Sequence, residues 1–384
     1  TLTAEAGNGY FINTTSNTCT ITLPASAEAG DQIVFMDYVR TWGTNKIIID
    51  SNGLNYQGES DLFTVEYDTS GETVNIVYAD ATQGWIPLDD DVVADAPVPP
   101  PTQKAIFAFG HAPQTAISNL VSSSGVVATD TAGVGTPRYD LAAAGYGVDK
   151  AIFGYGYAAA NSSLTNLVSS SGVVASDTTG VGTARQQLAA AAYGGDKAIF
   201  GYGSAGSGYT AITNLVSNAG VVATDTTGVG TVRVALAGAK YGVGLAIFGY
   251  GYLGGSTSTS LTNLVSNTGV VAADVTGVGT VRYSLAATTY GGDKAIFGYG
   301  TSPETGITNL VSNTGVVAAD VSGVGTARST LAAAGYGGDK ALFGFGSGYT
   351  AVTNLVSNSG VVASDTAGVG TARGYISAAG YSTS

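Results

Sequence analysis

This 384-residue chain has one histidine, His111, and one cysteine, Cys19. A Ser-His-Asp triad would have to use His111, and nothing in the sequence places a nucleophile beside it. A transition-metal site needs several imidazole or thiolate ligands, which a lone loop histidine cannot supply. Cys19 sits in TCTITLP, a strand-like setting for an inert core thiol, and a single cysteine excludes an intrachain disulfide. Carboxylates and guanidiniums follow another pattern. Asp130, Asp177, Asp225, Asp274, Asp320 and Asp365 stand 11 residues after Asn119, Asn166, Asn214, Asn263, Asn309 and Asn354, and 8 residues before Arg138, Arg185, Arg233, Arg282, Arg328 and Arg373. A catalytic site is normally unique, and glycoside hydrolysis needs two acids at one defined separation. Sixfold repetition instead favours hydrogen bonding that fixes one junction per repeat, with six shallow binding sites as the other reading. The GVGT segments contain Gly-x-Gly but lack the strand-to-helix setting and the Lys of a phosphate loop. No catalytic residue, metal site or cofactor is expected, and the chain reads as a non-enzyme.

One stretch per repeat does vary. The unit of about 47 residues reads LAAAAYGGDKAIFGYG (188–203), then a variable stretch, then TNLVSNAGVVATDTTGVGTVR (213–233). Each Arg precedes the first residue of the next AIF or ALF strand by 12 residues, but the distance from that residue to Asn runs 15, 16, 17, 18, 15 and 14. All length variation therefore falls in one loop per unit, and loops on a rigid scaffold commonly carry recognition. These loops hold His111, Tyr157, Tyr209, Tyr252, Glu304 and Tyr349 among small polar residues. Such a mixture suits stacking on a sugar or contact with a protein, so these six are the candidate ligand-binding residues.

Four short strands per unit must position those loops: 188–193, 197–203, 213–217 and 221–226 in the copy quoted. They are too short for helices and rich in β-branched and aromatic residues, while Gly194-Gly195-Asp196 supplies the positive-φ residues of a tight hairpin. The second strand has no charged face, as expected if both faces are covered. The small residues of the first fit a crowded axis. The first unit starts abruptly at KAIFAFG (104–110), and its missing segment appears after the sixth unit as GYISAAGYS (374–382). A repeat split between the ends of an array is how a closed ring locks itself. The sequence thus predicts an all-β chain in which residues 104–384 form a six-bladed β-propeller closed by the C-terminal strand. The loop between strands two and three would share a face with the segment leading to the next blade. The order of features resembles the kelch repeat, with an Arg before the innermost strand and a glycine-containing second strand. It departs where the second strand ends Gly-Tyr-Gly rather than in a double glycine, and where the fourth carries Val rather than Trp. Copper oxidases built on such propellers need His and a cross-linked Cys that this ring lacks. The nearest approach to a sialidase box, Ser176 to Gly180, has the wrong spacing and no Trp.

Residues 1–88 read as a separate small β-sandwich or barrel, with strands at 18–23, 32–38, 46–50, 63–67 and 73–78. An acidic, proline-rich linker at 89–103 follows. The net charge of −13 belongs to residues 1–103, with 15 acids and two bases, whereas residues 104–384 balance 12 acids against 12 bases. That distribution argues against nucleic acid as a partner, and no run of 18 apolar residues predicts membrane insertion. The first residue is Thr rather than Met, which fits a removed leader, a missing start or trimming alike. The pattern of YF, TLPAS, AGD, DY, NG and GW over residues 9–87 resembles small β domains in virion proteins of tailed bacteriophages, especially marine and cyanobacterial ones. By that resemblance residues 1–88 are an attachment or oligomerisation module contacting other virion proteins. The whole would be a homo-oligomeric fibre, spike or capsid decoration on the virion surface, with its propeller meeting a host-surface glycan or protein. The other reading is a secreted, extracellular structural subunit of a filament or surface layer.

Overall fold

A computed structural model of the protein describes residues 1–61, 64–88 and 103–382. The described chain is all-β, with strands and turns and no helix. It divides into two compact units, Thr1–Pro100 and Pro101–Ser384.

The first unit has eight strands: β1 (Leu2–Thr3), β2 (Gly9–Ile12), β3 (Cys19–Thr22), β4 (Gln32–Asp37), β5 (Ile47–Asp50), β6 (Val65–Tyr67), β7 (Thr73–Asp80) and β8 (Gly84–Pro87). They make two four-stranded sheets, ordered β1-β3-β5-β6 and β2-β4-β7-β8. Period-two alternation puts Ile33 and Phe35 of β4 and Val74, Ile76 and Tyr78 of β7 on the buried face. Both sheets contribute to one core around Trp42 and Trp85. Three strands went unread in the sequence: β1 is only two residues long, while β2 and β8 are four-residue runs beside turn residues, too short to show alternation. The expected start of a strand at Phe63 and nearly all of the 89–103 linker lie outside the described residues.

Among its described residues the second unit contains seven three-stranded antiparallel sheets: a small one of Arg185–Gln186, Ser204–Ala205 and Gly208–Tyr209, and six larger ones, one per repeat. The second to sixth are Ala142–Tyr146/Lys150–Gly154/Thr165–Val168, Ala189–Tyr193/Lys197–Gly201/Thr213–Val216, Ala237–Tyr241/Leu245–Gly254/Thr257–Val265, Ala286–Tyr290/Lys294–Gly298/Thr308–Val311 and Ala332–Tyr336/Lys340–Gly344/Thr353–Val356. In the first sheet Lys104–Ala108 lies between Ser118–Val121 and the C-terminal Ser377–Tyr381, with Ala378 opposite Phe107 and Tyr381 opposite Lys104. The two ends of the repeat array therefore meet in one sheet, and the inner strand of each sheet lies beside those of its two neighbours in cyclic order.

Two hoops of backbone hydrogen bonds run through all six sheets. At one end of the inner strands, N–H groups donate to carbonyls from Gln187 to Asp140 (2.9 Å), Ala235 to Gln187 (2.8 Å), Ser284 to Ala235 (2.7 Å), Thr330 to Ser284 (2.8 Å), Tyr375 to Thr330 (2.8 Å) and Asp140 to Tyr375 (3.3 Å). At the other end Gly147 donates to Asp196, Gly194 to Gly244, Gly242 to Asp293, Gly291 to Asp339, Gly337 to Gln103 and Ser382 to Asp149, at 2.6–3.0 Å. Packing follows the same order. The ring of Phe200 lies where a Cβ on Gly154 would stand, within 2.7 Å, and Phe107 bears likewise on Gly344 at 2.9 Å, joining the sixth sheet to the first. At Gly154 and Gly344 the missing Cβ admits a phenyl ring so close to the backbone, while the first sheet has Ala108 at the equivalent strand end.

Two expected strand boundaries are corrected. The second strand of most units ends at the glycine before Tyr or Phe rather than running through it. In the third sheet Lys197–Gly201 stops because Tyr202 has φ +64°, a left-handed kink shared by Phe109, Tyr155, Tyr250, Tyr299 and Phe345. The fourth strand, expected at 221–226, is a segment bonded to the third only at Val222↔Val216 and Thr226↔Thr213. The side chain of Asn214 interrupts the ladder there, its Nδ2 donating to the carbonyl of Ala223 at 3.0 Å and to Asp225 Oδ1 at 2.9 Å.

Each hydrophobic cluster draws on one unit alone among the described residues. A protein of residues 103–384 is therefore expected to fold unaided, giving a β-type circular dichroism spectrum. It should also elute far earlier from an anion exchanger than the full chain, because the excess negative charge stays behind. Insolubility or loss of the β signal would show that the first unit completes the second.

Candidate functional site

The repeated polar residues occupy the seams between sheets. Arg233 is fully buried. Its Nε donates to the Tyr250 carbonyl at 2.9 Å, Nη1 to that of Thr231 at 3.1 Å and Nη2 to Asn263 Oδ1 at 2.6 Å. The left-handed kink at Tyr250 turns its carbonyl to that guanidinium. On the preceding sheet, the ring of Tyr202 lies 4.4 Å from the Arg233 guanidinium carbon, within range of cation–π attraction. Thr231 clamps Asp274, with its N–H at 3.0 Å and its hydroxyl at 2.6 Å. The arrangement recurs at all six seams, the last running from Arg373 back to Phe109 and Asn119. Burial raises the Asp274 carboxyl, but hydrogen bonds from Thr231 and Asn263 and the charge of Arg233 bring it below its ordinary value. Burial drives Arg138 down to about 10, with Asp177 opposing, so it stays cationic at neutrality. The Arg, Asp and Asn sets are thus engaged within the fold.

The variable loops start beside the residue that follows each Arg. Tyr139 bridges to Tyr157, Val234 to Tyr252, Tyr283 to Thr301 and Gly374 to His111, which puts these loops on the face of the first hoop. Five of the six candidates fall into two aromatic groups. His111 stands 4.8 Å from Tyr139, 6.2 Å from Tyr375 and 6.4 Å from Tyr349, and Tyr157 stands 5.5 Å from Tyr139. Apart from these, Tyr209 stacks obliquely on Tyr252 at 6.5 Å, and Tyr252 lies 5.0 Å from Tyr283. Tyr209 and Tyr349 are the most open, 38% and 48% exposed. Glu304 joins neither group; its Oε1 accepts a hydrogen bond from Ser329 Oγ at 2.8 Å.

Tyr139, Tyr283 and Tyr375, which the sequence reading missed, lie outside the loops of varying length, so length variation does not single them out. A signal was available: the two positions after each Arg differ from copy to copy inside an otherwise uniform stretch. The second of these positions supplies the hoop residues Asp140, Gln187, Ala235, Ser284, Thr330 and Tyr375, all in the left-handed region with φ between +51° and +54°. Non-glycine residues held there cost on the order of 1 kcal/mol each, sustained by the surrounding structure.

Those six residues ring the mouth of a cavity of about 120 Å³ between the inner strands. Below them lie Leu141, Leu188, Leu236, Leu285, Leu331 and Ile376, then mainly Ala. At roughly 10–15 Å³ per water, the space admits several waters or one small molecule. Burial pushes the Asp140 carboxyl up to about 7, against a hydrogen bond from Gln187. Among the described residues, no three His, Cys, Asp or Glu side chains gather as a metal site.

No protein-family model matches the chain, and no curated protein gives a significant sequence match.

Proposed function

We propose that the protein is a non-enzymatic structural component of a virion, a fibre, spike or capsid decoration, in which a six-bladed, kelch-like β-propeller is displayed for host-surface recognition. Six sheets in cyclic order, two closed hoops of hydrogen bonds and the shared first sheet support the propeller reading. The resemblance of residues 9–87 to phage virion domains supports attachment through residues 1–88, with homo-oligomers on the particle. The observation that carries recognition is the gathering of His111, Tyr157 and Tyr349 with Tyr139 and Tyr375 on the one face where loop length varies. The neutral charge of residues 104–384 favours a glycan or a neutral protein surface as ligand. Aromatic contacts contribute about 0.5–1.5 kcal/mol each beyond area burial.

Changing Tyr157, Tyr209, Tyr252 and Tyr349 together to Ser is expected to abolish adsorption to the host surface and to move the melting temperature little, since none belongs to a core cluster. Unaltered adsorption by that variant, with loss on removing residues 1–88, would move the contact to the first unit.

The filament or surface-layer reading also has an observation in its favour. Val126, Val173, Val221, Val270, Val316 and Val361 recur at the sheet edges, each 64–66% exposed, a repeated apolar girdle suited to packing against further subunits. Imaging the native particle separates the two readings by where the protein sits.

A further inference from the structure

The mouth of the axial cavity differs from the rest of the second unit in one respect. Along the inner strands mainly Ala and Gly recur, with Lys240, Thr288 and Thr289 as the larger exceptions, whereas here six different side chains meet: Asp140, Gln187, Ala235, Ser284, Thr330 and Tyr375. One is acidic, none is basic, and among the described residues no cationic side chain pairs with Asp140. The nearest guanidinium in sequence, Arg138, is fully buried and committed to Asn166 Oδ1 at 2.5 Å and to the Tyr155 carbonyl at 2.8 Å. A carboxyl half-buried at a cavity mouth with no cation beside it marks a place where a positively charged donor belongs. Directly beneath lies the ring of five Leu and one Ile. Polar acceptors above an apolar collar suit a ligand with a donating, positively charged head and a short hydrocarbon tail. A divalent metal is a poor fit, because one carboxylate with hydroxyl and amide oxygens offers too few anionic ligands.

We propose that this mouth binds a small primary alkylammonium ion, its ammonium held by Asp140 with the adjacent Gln187, and its alkyl chain against the leucine collar. An ammonium carries three N–H donors, enough for both carboxylate oxygens and the Gln187 side-chain carbonyl. The bound charge stabilises ionised Asp140, whose proton burial otherwise retains up to about 7. Affinity should therefore rise between pH 5 and pH 8. The other titratable side chains nearby are Tyr139 and Tyr375, both held above the phenol range first by burial and then by the Asp140 charge, and His111, packed on both rings. The inference stands apart from recognition at the rim, since it uses none of the four tyrosines tested there.

Isothermal titration of the full-length protein with n-propylammonium chloride, against the uncharged isostere 1-propanol, tests this. Saturable millimolar or tighter binding is expected for propylammonium, at least ten-fold stronger than for propanol. Asp140→Asn should reduce it at least ten-fold and flatten its pH dependence, whereas dependence due to His111 would persist in that variant. The four-tyrosine variant should bind propylammonium like the parent. No binding at 50 mM, equal affinity for propanol, or undiminished affinity in a folded Asp140→Asn protein would each overturn the assignment. Should Asp140→Asn fail to fold, the comparison of the two ligands across pH on the parent protein decides alone.

Discussion

Deleting residues 374–384 is expected to lower the melting temperature of the second unit by roughly 20 °C, taking about 2 °C per kcal/mol for a unit of this size. Several losses coincide. The first sheet loses the inner strand Ser377–Tyr381, leaving Lys104–Ala108 with an unpaired edge. Both hoops open, because Tyr375 donates to Thr330 and accepts from Asp140, while Ser382 donates to Asp149. The main-chain pair between His111 and Gly374 goes as well. Ile376, Ala378, Ala379 and Tyr381, all buried, leave the cores on either side of that sheet. Burying one large apolar side chain contributes about 1.5–3 kcal/mol and a typical net hydrogen bond about 0.5–1.5 kcal/mol, so the total is on the order of 10 kcal/mol. Calorimetry on the two proteins measures it. An unchanged transition would sink the idea that the C-terminal segment locks the six sheets together, and restabilisation by an added peptide of residues 374–384 would support it directly.

The second large effect is expected at a single side chain. Arg233→Ala removes a guanidinium that satisfies two carbonyls and Asn263 Oδ1 in a fully buried seam. The acceptors remain buried without donors, each costing about 1–3 kcal/mol. Asp274 loses its cation at 3.9 Å, and the ring of Tyr202 loses its stacking partner. A destabilisation of about 3–5 kcal/mol follows, the size seen when one partner is cut from a buried charged network. Arg233→Lys should recover little, because an ammonium cannot reproduce the planar fork that reaches three acceptors. The control is Lys197→Ala. That residue pairs with Asp196 at 2.7 Å, but its side chain is 43% exposed, and solvent leaves such pairs worth about 0–1 kcal/mol. Denaturant titration of the three variants measures the contrast. If Arg233→Ala proved as mild as Lys197→Ala, the seams would owe their strength to the phenylalanine packing instead.

The parts of the fold legible in the sequence are those set by short-range chemistry repeated six times. Hairpin glycines and the β-branched AIF strands are local signals, and their strict spacing showed which segment was missing from the first unit and where Gly374–Ser382 would supply it. The even spacing of Asn, Asp and Arg likewise marked them as residues of a junction, since a junction recurs with the repeat. Whether the fourth segment would pair as a full strand was beyond such signals, because the Asn214 side chain competes for the Ala223 carbonyl from across the sheet. The aromatic groups were legible only in part. The sequence picked out Tyr157, Tyr209, Tyr252 and Tyr349 by loop length, but the meeting of His111 with Tyr139 and Tyr375 brings together residues from both ends of the repeat array. Asp140 was marked in the sequence only as one of the variable positions after each Arg, which does not distinguish its role from that of the other eleven acids of the second unit. Its half-buried position, its hydrogen bond to Gln187 and its place at the cavity mouth arise when six inner strands come together in cyclic order, which only the tertiary structure decides, because that neighbourhood belongs to the assembled sheets and to no single repeat.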